Sequence, residues 1–402
     1  MSGKKIKKSV LVITERYYPE KFLINDLISA WIQKGFKVIV LTQVPSYPAD
    51  SLFSGYKNEF SDRIENGARI VRFKTVLGYK RSLFRKILSY FCFMIRALWY
   101  SLRLAYKVDS VFVYHTGPLT QALPLITIKL LTRKRTAIWT QDVWPDTVFA
   151  YGFPNHGAFA ILVKAFVYSI YTFCDVILVS SPGFIQRLRP YVAKHIAIQF
   201  LPQWVSDEVK IQKPTSIIIC SKAKRFIFAG NLGKMQNLDK VILAFAKITP
   251  QCAELYLLGD GSNRSRLEAL VSEHHIKNVV FLGSVPQDQV ISCLQQCDFT
   301  VLSLSPNPLI SLTIPAKFQT YLFAQKPIFA ITDGEVAKLV HEHGLGVTAN
   351  PSSIDSIVEG VRSMCSITQN QRYEIEVNLY SLLIEKYNKE RSVENAATFI
   401  FG

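Results

Sequence analysis

One segment in the second half of the chain combines glycine, lysine and a helix start as phosphate-binding loops do. Residues 229–245, AGNLGKMQNLDKVILAF, place Gly230, Asn231 and Lys234 between an apolar run and an amphipathic stretch. Backbone N–H groups at a helix N-terminus attract anions, and a lysine adds a point charge. The pattern predicts a phosphate-binding loop, although most turns of this kind are only structural.

Two later segments repeat this chemistry. LLGDGSNRSRLEALV (257–271) has two glycines ahead of a helix, and SLTIPAKFQTYLFAQKPIFAI (311–331) has Pro315 at a first helical turn, so that the next N–H groups and Lys317 can face an anion together. The candidate ligand-binding residues of these two segments are Gly259, Asp260, Gly261, Lys317, Gln319, Thr320 and Tyr321. Neither segment fits the dinucleotide fingerprint or the P-loop, which disfavours nicotinamide and P-loop chemistry. All three segments could converge on one diphosphate-bearing ligand.

The first half offers two catalytic candidates. Asp142 follows the apolar run TAIWT and could orient a hydroxyl or accept its proton. Its alternative role is to cap a turn, with Trp144 packed beneath it. His115 follows SVFVY and could stabilise charge on a sugar or hydroxyl, although a lone histidine is more often a structural hydrogen-bonding residue.

The elements that position these residues alternate between short β-rich runs and longer helical stretches. The first half predicts strands at residues 10–14, 36–42, 68–73, 110–114, 136–140 and 175–180. The second half predicts strands at residues 225–230, 254–259, 278–283, 299–304 and 326–332. Continuous apolar runs are typical of parallel strands buried on both faces, and ligands bind at the carboxyl ends of such strands. The sequence thus predicts two Rossmann-like α/β domains with parallel sheets facing a central cleft.

The predicted boundaries are residues 1–205 for the N-terminal domain and 206–380 for the second domain. Residues 381–402 are predicted to form a polar C-terminal helix, which either packs as a solvated helix or crosses back to domain one. A chain of 402 residues exceeds what one hydrophobic core usually supports, which agrees with two domains.

The excess of positive over negative charge lies entirely in the first half. Residues 1–200 hold 28 Lys and Arg against 11 Asp and Glu, whereas residues 201–402 hold 19 of each, which together give the net charge of +17. With 49% hydrophobic and only 19% charged residues, the chain is not a disordered polybasic protein. An anionic partner is indicated: nucleic acid, a membrane surface or a phosphorylated substrate.

The segment 79–108 favours the membrane. It interleaves basic residues with aromatic and aliphatic ones, as interfacial helices do, and lacks a recognised nucleic-acid motif. The patch comprises Lys80, Arg81, Arg85, Lys86 and Arg96, which Lys4, Lys5, Lys7, Lys8 and residues 133–135 could extend. The alternative is an ordinary helix with a solvated basic face. We expect no leader and no transmembrane segment, and the scattered cysteines suggest reduced thiols in a cytosolic protein.

In the order of its motifs the chain resembles the retaining nucleotide-sugar glycosyltransferases of family 4, which have the GT-B fold, and within them the bacterial fucosamine and colanic-acid-type branch. The matching blocks are ERYYPEKFLINDL (15–27), VLTQVPSYP (40–48), IWTQDVWPDTV (138–148), VSSPGF (179–184), FLPQWVSDE (200–208), FAGNLGKMQNLD (228–239), LLGDG (257–261), VVFLGSVP (279–286) and TIPAKFQTYLFAQKPIFA (313–330). The resemblance implies that domain two binds the donor and that domain one binds the acceptor.

Two departures from the family concern the donor site. Leu312 and Thr320 stand where many members have two glutamates, and Asn231 and Gln236 stand where they often have Arg and Lys. Lys234 and Lys317 are therefore the expected substitute cations. On the acceptor side, the resemblance places Glu15, Tyr18 and Glu20 beside the donor diphosphate. Because carboxylates repel a diphosphate, Glu15 or Glu20 is expected to hold an acceptor hydroxyl or a basic partner.

The resemblance implies transfer of a sugar, with retention, from a nucleotide-diphosphate donor to a lipid-linked saccharide in O-antigen, capsule or exopolysaccharide synthesis. The expected location is the inner face of the cell membrane, with no metal or other cofactor and no nucleic acid. Three alternatives remain at this point: a GT-B sugar-nucleotide epimerase, a nucleic-acid binder, and a non-catalytic scaffold with a decayed donor site.

Overall fold

The computed structural model describes residues 8–402, so that the predicted basic residues Lys4, Lys5 and Lys7 lie outside it. The chain divides into two compact units. The first contains the described residues up to Pro202 together with Glu390–Gly402, and the second contains Gln203–Lys389. The division thus lies three residues before the boundary expected from the sequence.

The first unit is built on an eight-stranded sheet of order β3-β4-β2-β1-β5-β6-β7-β8. Its elements are β1 (Ser9–Ile13), α1 (Leu23–Gln33), β2 (Lys37–Gln43), β3 (Ser61–Glu65), β4 (Ala68–Phe73), α2 (Leu83–Ala105), β5 (Ser110–His115), α3 (Pro124–Thr132), β6 (Arg135–Thr140), α4 (Asp146–Ala150), α5 (Gly157–Thr172), β7 (Val176–Val179), α6 (Gly183–Leu188) and β8 (Ala197–Phe200). Neighbouring strands are parallel except β3 and β4, which are antiparallel.

The second unit is built on a six-stranded parallel sheet of order β11-β10-β9-β12-β13-β14. Its elements are α7 (Asp207–Lys210), β9 (Lys224–Ala229), α8 (Leu238–Ala246), β10 (Ala253–Leu258), α9 (Arg264–Glu273), β11 (Val279–Gly283), α10 (Val290–Gln295), β12 (Phe299–Ser303), α11 (Ala316–Ala324), β13 (Ile328–Ile331), α12 (Glu335–Glu342), β14 (Gly346–Ala349), α13 (Ile354–Cys365) and α14 (Gln369–Lys386). The final described helix is α15 (Lys389–Phe401).

The predicted strands are found because their apolar runs are buried on both faces. Val10 to Ile13 of β1, for example, are fully enclosed. The sequence missed β3, β8 and β14 for a common reason. The edge strand β3 reads SDRIE and is largely exposed, and the other two are four residues long and half-buried, so none has a long apolar run.

The tail predicted at residues 381–402 is divided between two helices. Residues up to Lys386 continue α14, whose Leu379 and Leu382 are in the second unit's core. Only α15 belongs to the first unit, where it buries Val393, Ala396 and Ile400. Its ends are fixed by polar and aromatic contacts. These are Lys34 with Glu394 at 2.7 Å, Arg135 Nε donating to the Phe399 oxygen at 3.1 Å, and Phe36 stacked on Phe401 at 5.0 Å.

Helix α2 is the one helix of residues 8–402 with the length and composition to cross a membrane. It is nevertheless an integral part of the first unit, because one face buries Phe93, Ala97 and Leu104 at the spacing of a packed helix. The opposite face is apolar and exposed.

Candidate active site

The candidate donor region of the second unit is formed by two loops that interlock at glycines. Gly230 follows β9 and Gly259 follows β10, at φ +141° and +136°, which favour glycine. A Cβ on Gly259 would lie 1.9 Å from the Gly230 oxygen, so no other residue fits. Leu232 N–H donates to the Asp260 oxygen at 2.9 Å, and Asn263 N–H donates to the Leu232 oxygen at 3.0 Å.

Asn231 and the second-loop residues complete this backbone arrangement. A Cβ on Gly261 would lie 2.4 Å from Asn231 Oδ1, which shows how closely the two loops approach. The Asp260 carboxylate accepts the Gly261 N–H at 2.8 Å and so caps its own loop. Lys234 is exposed at the start of a short 3₁₀ turn. Both loops are therefore held in one conformation by main-chain contacts.

Lys317 joins these loops from α11. Its ammonium donates to Gln236 Oε1 at 2.5 Å and lies 3.8 Å from the centre of the Phe228 ring. A Cβ on Gly230 would be 3.5 Å from Nζ, which places the cation beside the first loop. Burial lowers the pKa of Lys317 to about 7. The site thus holds a desolvated lysine that an anion would stabilise in its charged form.

Three other residues of α11 have positioning roles. Tyr321 is fully buried, and its hydroxyl accepts the Ala229 N–H at 2.9 Å and donates to the Val301 oxygen at 3.1 Å. Gln319 is also fully buried, and its amide, oriented to satisfy both groups, donates to the oxygens of Pro315 and Ala316. The Thr320 hydroxyl donates to the Ala316 oxygen at 3.2 Å. We therefore correct the expectation that Gln319 and Tyr321 contact the donor, because both side chains are enclosed by protein.

The candidate acceptor region of the first unit lies at the carboxyl ends of β1, β5 and β6, which are adjacent in the sheet. His115 is fully buried and its Nδ1 is 2.7 Å from Thr140 Oγ1. Thr140 donates its own proton to the Asp142 backbone oxygen at 2.6 Å, so the hydrogen-bond network assigns the His115 proton to Nδ1. Among the described residues Nε2 makes no hydrogen bond within normal distance, and the nearby Gly117 backbone partly opposes the effect of burial on the pKa of the ring.

Burial sets the charge of both catalytic candidates. It lowers the pKa of His115 to about 4, so the ring is neutral near pH 7 and accepts hydrogen bonds at Nε2. The expected role in stabilising charge is therefore limited to that of a neutral imidazole. Burial also raises the pKa of Asp142 to about 6, and its side chain is only partly enclosed. An Asp with a pKa near neutrality is suited to exchanging a proton with a hydroxyl.

Of the acceptor-side residues that the resemblance suggested, Glu20 has a structural role. It is buried, and its Oε1 accepts the Arg16 guanidinium at 3.1 Å and the N–H groups of Ser46 and Tyr47 at 2.9 and 2.7 Å. Its carboxylate is thus occupied by a basic partner and a loop, so of the two expected roles it has that of holding a basic partner. Tyr18, in contrast, is half-exposed.

Glu15 remains a site candidate. Its side chain is buried and Oε1 has no hydrogen-bond partner within residues 8–402, while the Glu15 N–H donates to Gln121 Oε1 at 3.2 Å. Burial raises its pKa to about 7, against the opposing effect of Arg16 and with a smaller contribution from Glu20. An enclosed carboxyl that titrates near neutrality can donate or accept a hydrogen bond.

The sequence did not indicate the roles of Arg16, Thr140 and Phe228, nor that Gln236 is the partner of Lys317. Arg16 directly follows Glu15 and Gln236 was noted as a departure from the family, so each had a local signal. The contacts of Thr140 and Phe228 depend on strand register, and the local sequence gives no signal of them. No group of three or more His, Cys, Asp or Glu among residues 8–402 is placed to hold a metal ion.

The predicted basic patch is only partly presented to solvent. Lys80, Arg81 and Arg85 are exposed, and the Lys86 ammonium lies 5.2 Å from the Tyr151 ring centre. Arg96 instead donates to the Lys74 oxygen and is half-buried, so it does not belong to an outward patch. Two proposed extensions contact α15: Arg135 as above, and Lys8 over the Phe401 ring.

Two α/β units, each on an essentially parallel sheet, define the GT-B class of glycosyltransferase fold. The solved structure "Crystal structure of Anabaena Alr3699/HepE in complex with UDP" is similar at a TM-score of 0.66 and 12% identity, covering 97% of this chain and 98% of that chain. Residues 212–377 match the family model described as "Glycosyl transferases group 1". The matched segment lies within the second unit.

Two curated proteins are similar over most of the chain. One is "Probable glycosyltransferase WbjE" of Pseudomonas aeruginosa, 22% identical over 321 residues that cover 76% of this chain and 78% of that protein. The other is "Putative colanic acid biosynthesis glycosyl transferase WcaI" of Escherichia coli (strain K12), 22% identical over 380 residues that cover 88% of this chain and 91% of that protein.

Proposed function

We propose that this protein is a retaining, family 4-type glycosyltransferase of the fucosamine and colanic-acid-type branch. It would transfer a hexosyl or N-acetylhexosaminyl group from a nucleotide-diphosphate sugar to a lipid-linked saccharide in bacterial O-antigen, capsule or exopolysaccharide synthesis. The observation that carries the donor part is the Lys317 ammonium beside Gly230, at the loop that also carries the exposed Lys234.

The reaction breaks the bond between the sugar anomeric carbon and the diphosphate oxygen, and forms a bond from that carbon to an acceptor hydroxyl. Lys317 and loop N–H groups would stabilise the negative charge on the departing diphosphate, which is the largest catalytic contribution in such a site. Asp142 would orient the acceptor hydroxyl or take its proton, and His115 Nε2 would accept a hydrogen bond from a sugar hydroxyl. We propose no metal and no other cofactor for these steps.

The direct test is transfer itself. The purified protein is first screened by thermal shift against UDP-, GDP- and dTDP-sugars, because a tight donor raises the unfolding temperature by mass action. The donor found is then incubated with lipid-linked saccharides, and the anomeric configuration of the product is read by NMR. Retention is expected. An inverted product would overturn the mechanism, and epimerised donor without transfer would identify an epimerase.

Lys317→Ala should weaken donor binding and so reduce the thermal shift, with Lys247→Ala as the matched control. Lys247 is an exposed lysine of the same unit that pairs with Asp355 at 2.8 Å. Equal donor binding by both variants would show that the donor site is elsewhere.

We further propose that the first unit associates with the cytoplasmic face of the cell membrane through Lys80, Arg81, Arg85 and Lys86. Basic side chains near an anionic leaflet contribute about 1 kcal/mol each. Replacing Arg81, Arg85 and Lys86 by Gln should weaken sedimentation with anionic vesicles, whereas unchanged sedimentation would contradict this location.

A further inference from the structure

Helix α5 presents an apolar face to the outside of the first unit. Its buried side consists of Ala160, Val167, Ile170 and Tyr171. The remaining surface is exposed and still apolar: Ile161 is 67% and Leu162 is 69% exposed, and Phe159 and Tyr168 are exposed with them. Lys164 is the only charged residue of this helix. A helix that is apolar on both its buried and its outer side requires a second apolar environment.

This face continues through α3 to α2. Helix α3 packs against both α2 and α5, and its Leu130 and Leu131 are more than half-exposed. On α2 the exposed apolar residues recur at helical spacing on the side away from the core. They are Phe84, Leu88, Phe91, Ile95 and Trp99. At the N-terminal end of α2, the Lys86 ammonium lies over the Tyr151 ring just before α5. We call the exposed surface of α2, α3 and α5 the three-helix face.

The charge of the three-helix face indicates which kind of partner covers it. The three helices contain no Asp or Glu, and their basic residues are Arg85, Lys86, Arg103 and Lys164, together with Arg96, which donates to the Lys74 oxygen, and Lys129, which pairs with Asp175. A second copy of the chain placed against this face would bring like charges together without acidic partners. A phospholipid leaflet supplies both an apolar layer and phosphate groups, and long basic side chains reach its headgroups while apolar ones enter the acyl region.

We propose that the three-helix face is immersed in a phospholipid leaflet, with α5 as a second lipid-contacting helix beside α2. This inference rests on the proposed membrane association but changes its nature. The first unit is held by insertion of apolar side chains, so that binding persists when charge attraction is screened. The basic residues orient the face on the leaflet and increase its affinity for anionic lipids.

The test uses the full chain and vesicles of uncharged phosphatidylcholine at about 1 M salt, where electrostatic attraction extends only about 3 Å. Wild-type protein should sediment with these vesicles. The double variant Ile161→Asp/Leu162→Asp should lower the partition coefficient by roughly tenfold or more, because two apolar side chains no longer enter the lipid. Both residues are exposed, so circular dichroism and thermal unfolding should match wild type.

The matched control is Ile64→Asp. Ile64 is 80% exposed on β3 of the same unit but lies outside the three-helix face, and its replacement should leave vesicle binding unchanged. Binding only to anionic vesicles, with release by salt, would overturn the inference, as would equal binding of the double variant. A wild-type dimer without lipid that the double variant converts to monomer would identify the face as an interface between copies.

The outcome is separable from the proposed reaction. Transfer to a water-soluble saccharide acceptor should be the same for wild type and Ile161→Asp/Leu162→Asp, because neither residue is in the candidate site. Loss of salt-resistant binding with retained transfer supports the three-helix face. If wild type binds lipid but transfers no sugar to any acceptor, the proposed function fails while the lipid inference stands.

Discussion

The two sheets use the ends of their parallel strands in opposite ways. In the second unit the loops after β9 and β10 are fixed by glycines and main-chain hydrogen bonds, and the Lys317 ammonium lies beside the first of them. In the first unit the corresponding strand ends carry buried titratable side chains with incomplete hydrogen bonding, among them Glu15 and His115.

The difference matches two kinds of ligand. A diphosphate is recognised by its charge, which backbone N–H groups and a cation can complement without any particular side chain. A sugar hydroxyl is both a donor and an acceptor, and side chains whose protonation is adjusted by burial can complement it. Under the proposed function, two parallel sheets of different strand number would thus provide a main-chain site in one unit and a side-chain site in the other.

The largest expected effect is on the side-chain site. Asp142→Asn should lower kcat/KM by about 10²–10⁴-fold, the range typical of losing a general base. Because burial raises the pKa of Asp142 to about 6, wild-type activity should rise with pH through about 6 as the carboxyl ionises, and this limb should disappear in the variant. The measurement is a pH profile of kcat/KM.

The control for Asp142→Asn is Asp146→Asn, four residues later, where the carboxylate pairs with Arg187. Its activity and pH profile should stay close to wild type. An Asp142→Asn enzyme with wild-type activity would reduce Asp142 to a turn residue and weaken the contrast between the units.

The main-chain character of the donor loops is tested by Gly259→Ala. The added Cβ meets the Gly230 oxygen at 1.9 Å, so the free energy of unfolding should fall by about 3 kcal/mol or more. Gly283→Ala is the matched control, because this glycine also has positive φ (+74°) but has nothing within 4 Å of a new Cβ. Gly283→Ala should lower the free energy of unfolding by only about 1 kcal/mol. Equal losses in urea denaturation would refute the interlocked geometry.

Lys317 should make donor binding depend on pH. Lys317→Ala should weaken nucleoside diphosphate binding by about 10–100-fold. Because burial lowers the pKa of Lys317 to about 7, the lysine loses its proton as pH rises, and the wild-type Kd should increase above pH 7 by up to tenfold per unit. Isothermal titration calorimetry across this range gives both values.

Lys317→Arg separates charge from shape. Arginine stays protonated, so the Kd of the Lys317→Arg variant for the nucleoside diphosphate should not change with pH, even where the different geometry of arginine weakens binding. A pH-dependent Kd in the arginine variant would assign the titration to another group.

The smallest expected effect is on stability through Glu15. Because burial raises the pKa of Glu15 from 4.5 to about 7, the folded protein binds more protons than the unfolded chain between these values. The stability therefore falls as pH rises through this window, and Glu15→Gln should remove most of that dependence. Urea denaturation at several pH values measures it. Replacing the exposed Glu59 by Gln should leave the profile unchanged.

The sequence identified features that local composition determines. Buried parallel strands appear as apolar runs, and Gly230 and Gly259 end two of them, so the fold and the donor loops were predictable. Contacts between distant residues were not. Lys317 meets Gln236 across 81 positions, and Glu20 is occupied by a loop 26 residues away. Side chains such as Tyr321 have the right chemistry for a ligand, yet only the packed structure shows that they are enclosed.

The position of α15 at the end of the sequence affects how the first unit folds during translation. The first unit begins near the N-terminus, but its core includes Val393, Ala396 and Ile400. During translation this unit cannot complete its packing until all of the second unit has been made, and its apolar surface under α15 stays uncovered meanwhile. A nascent chain stopped after α14 should therefore engage chaperones through the first unit, even though that unit was synthesised earlier.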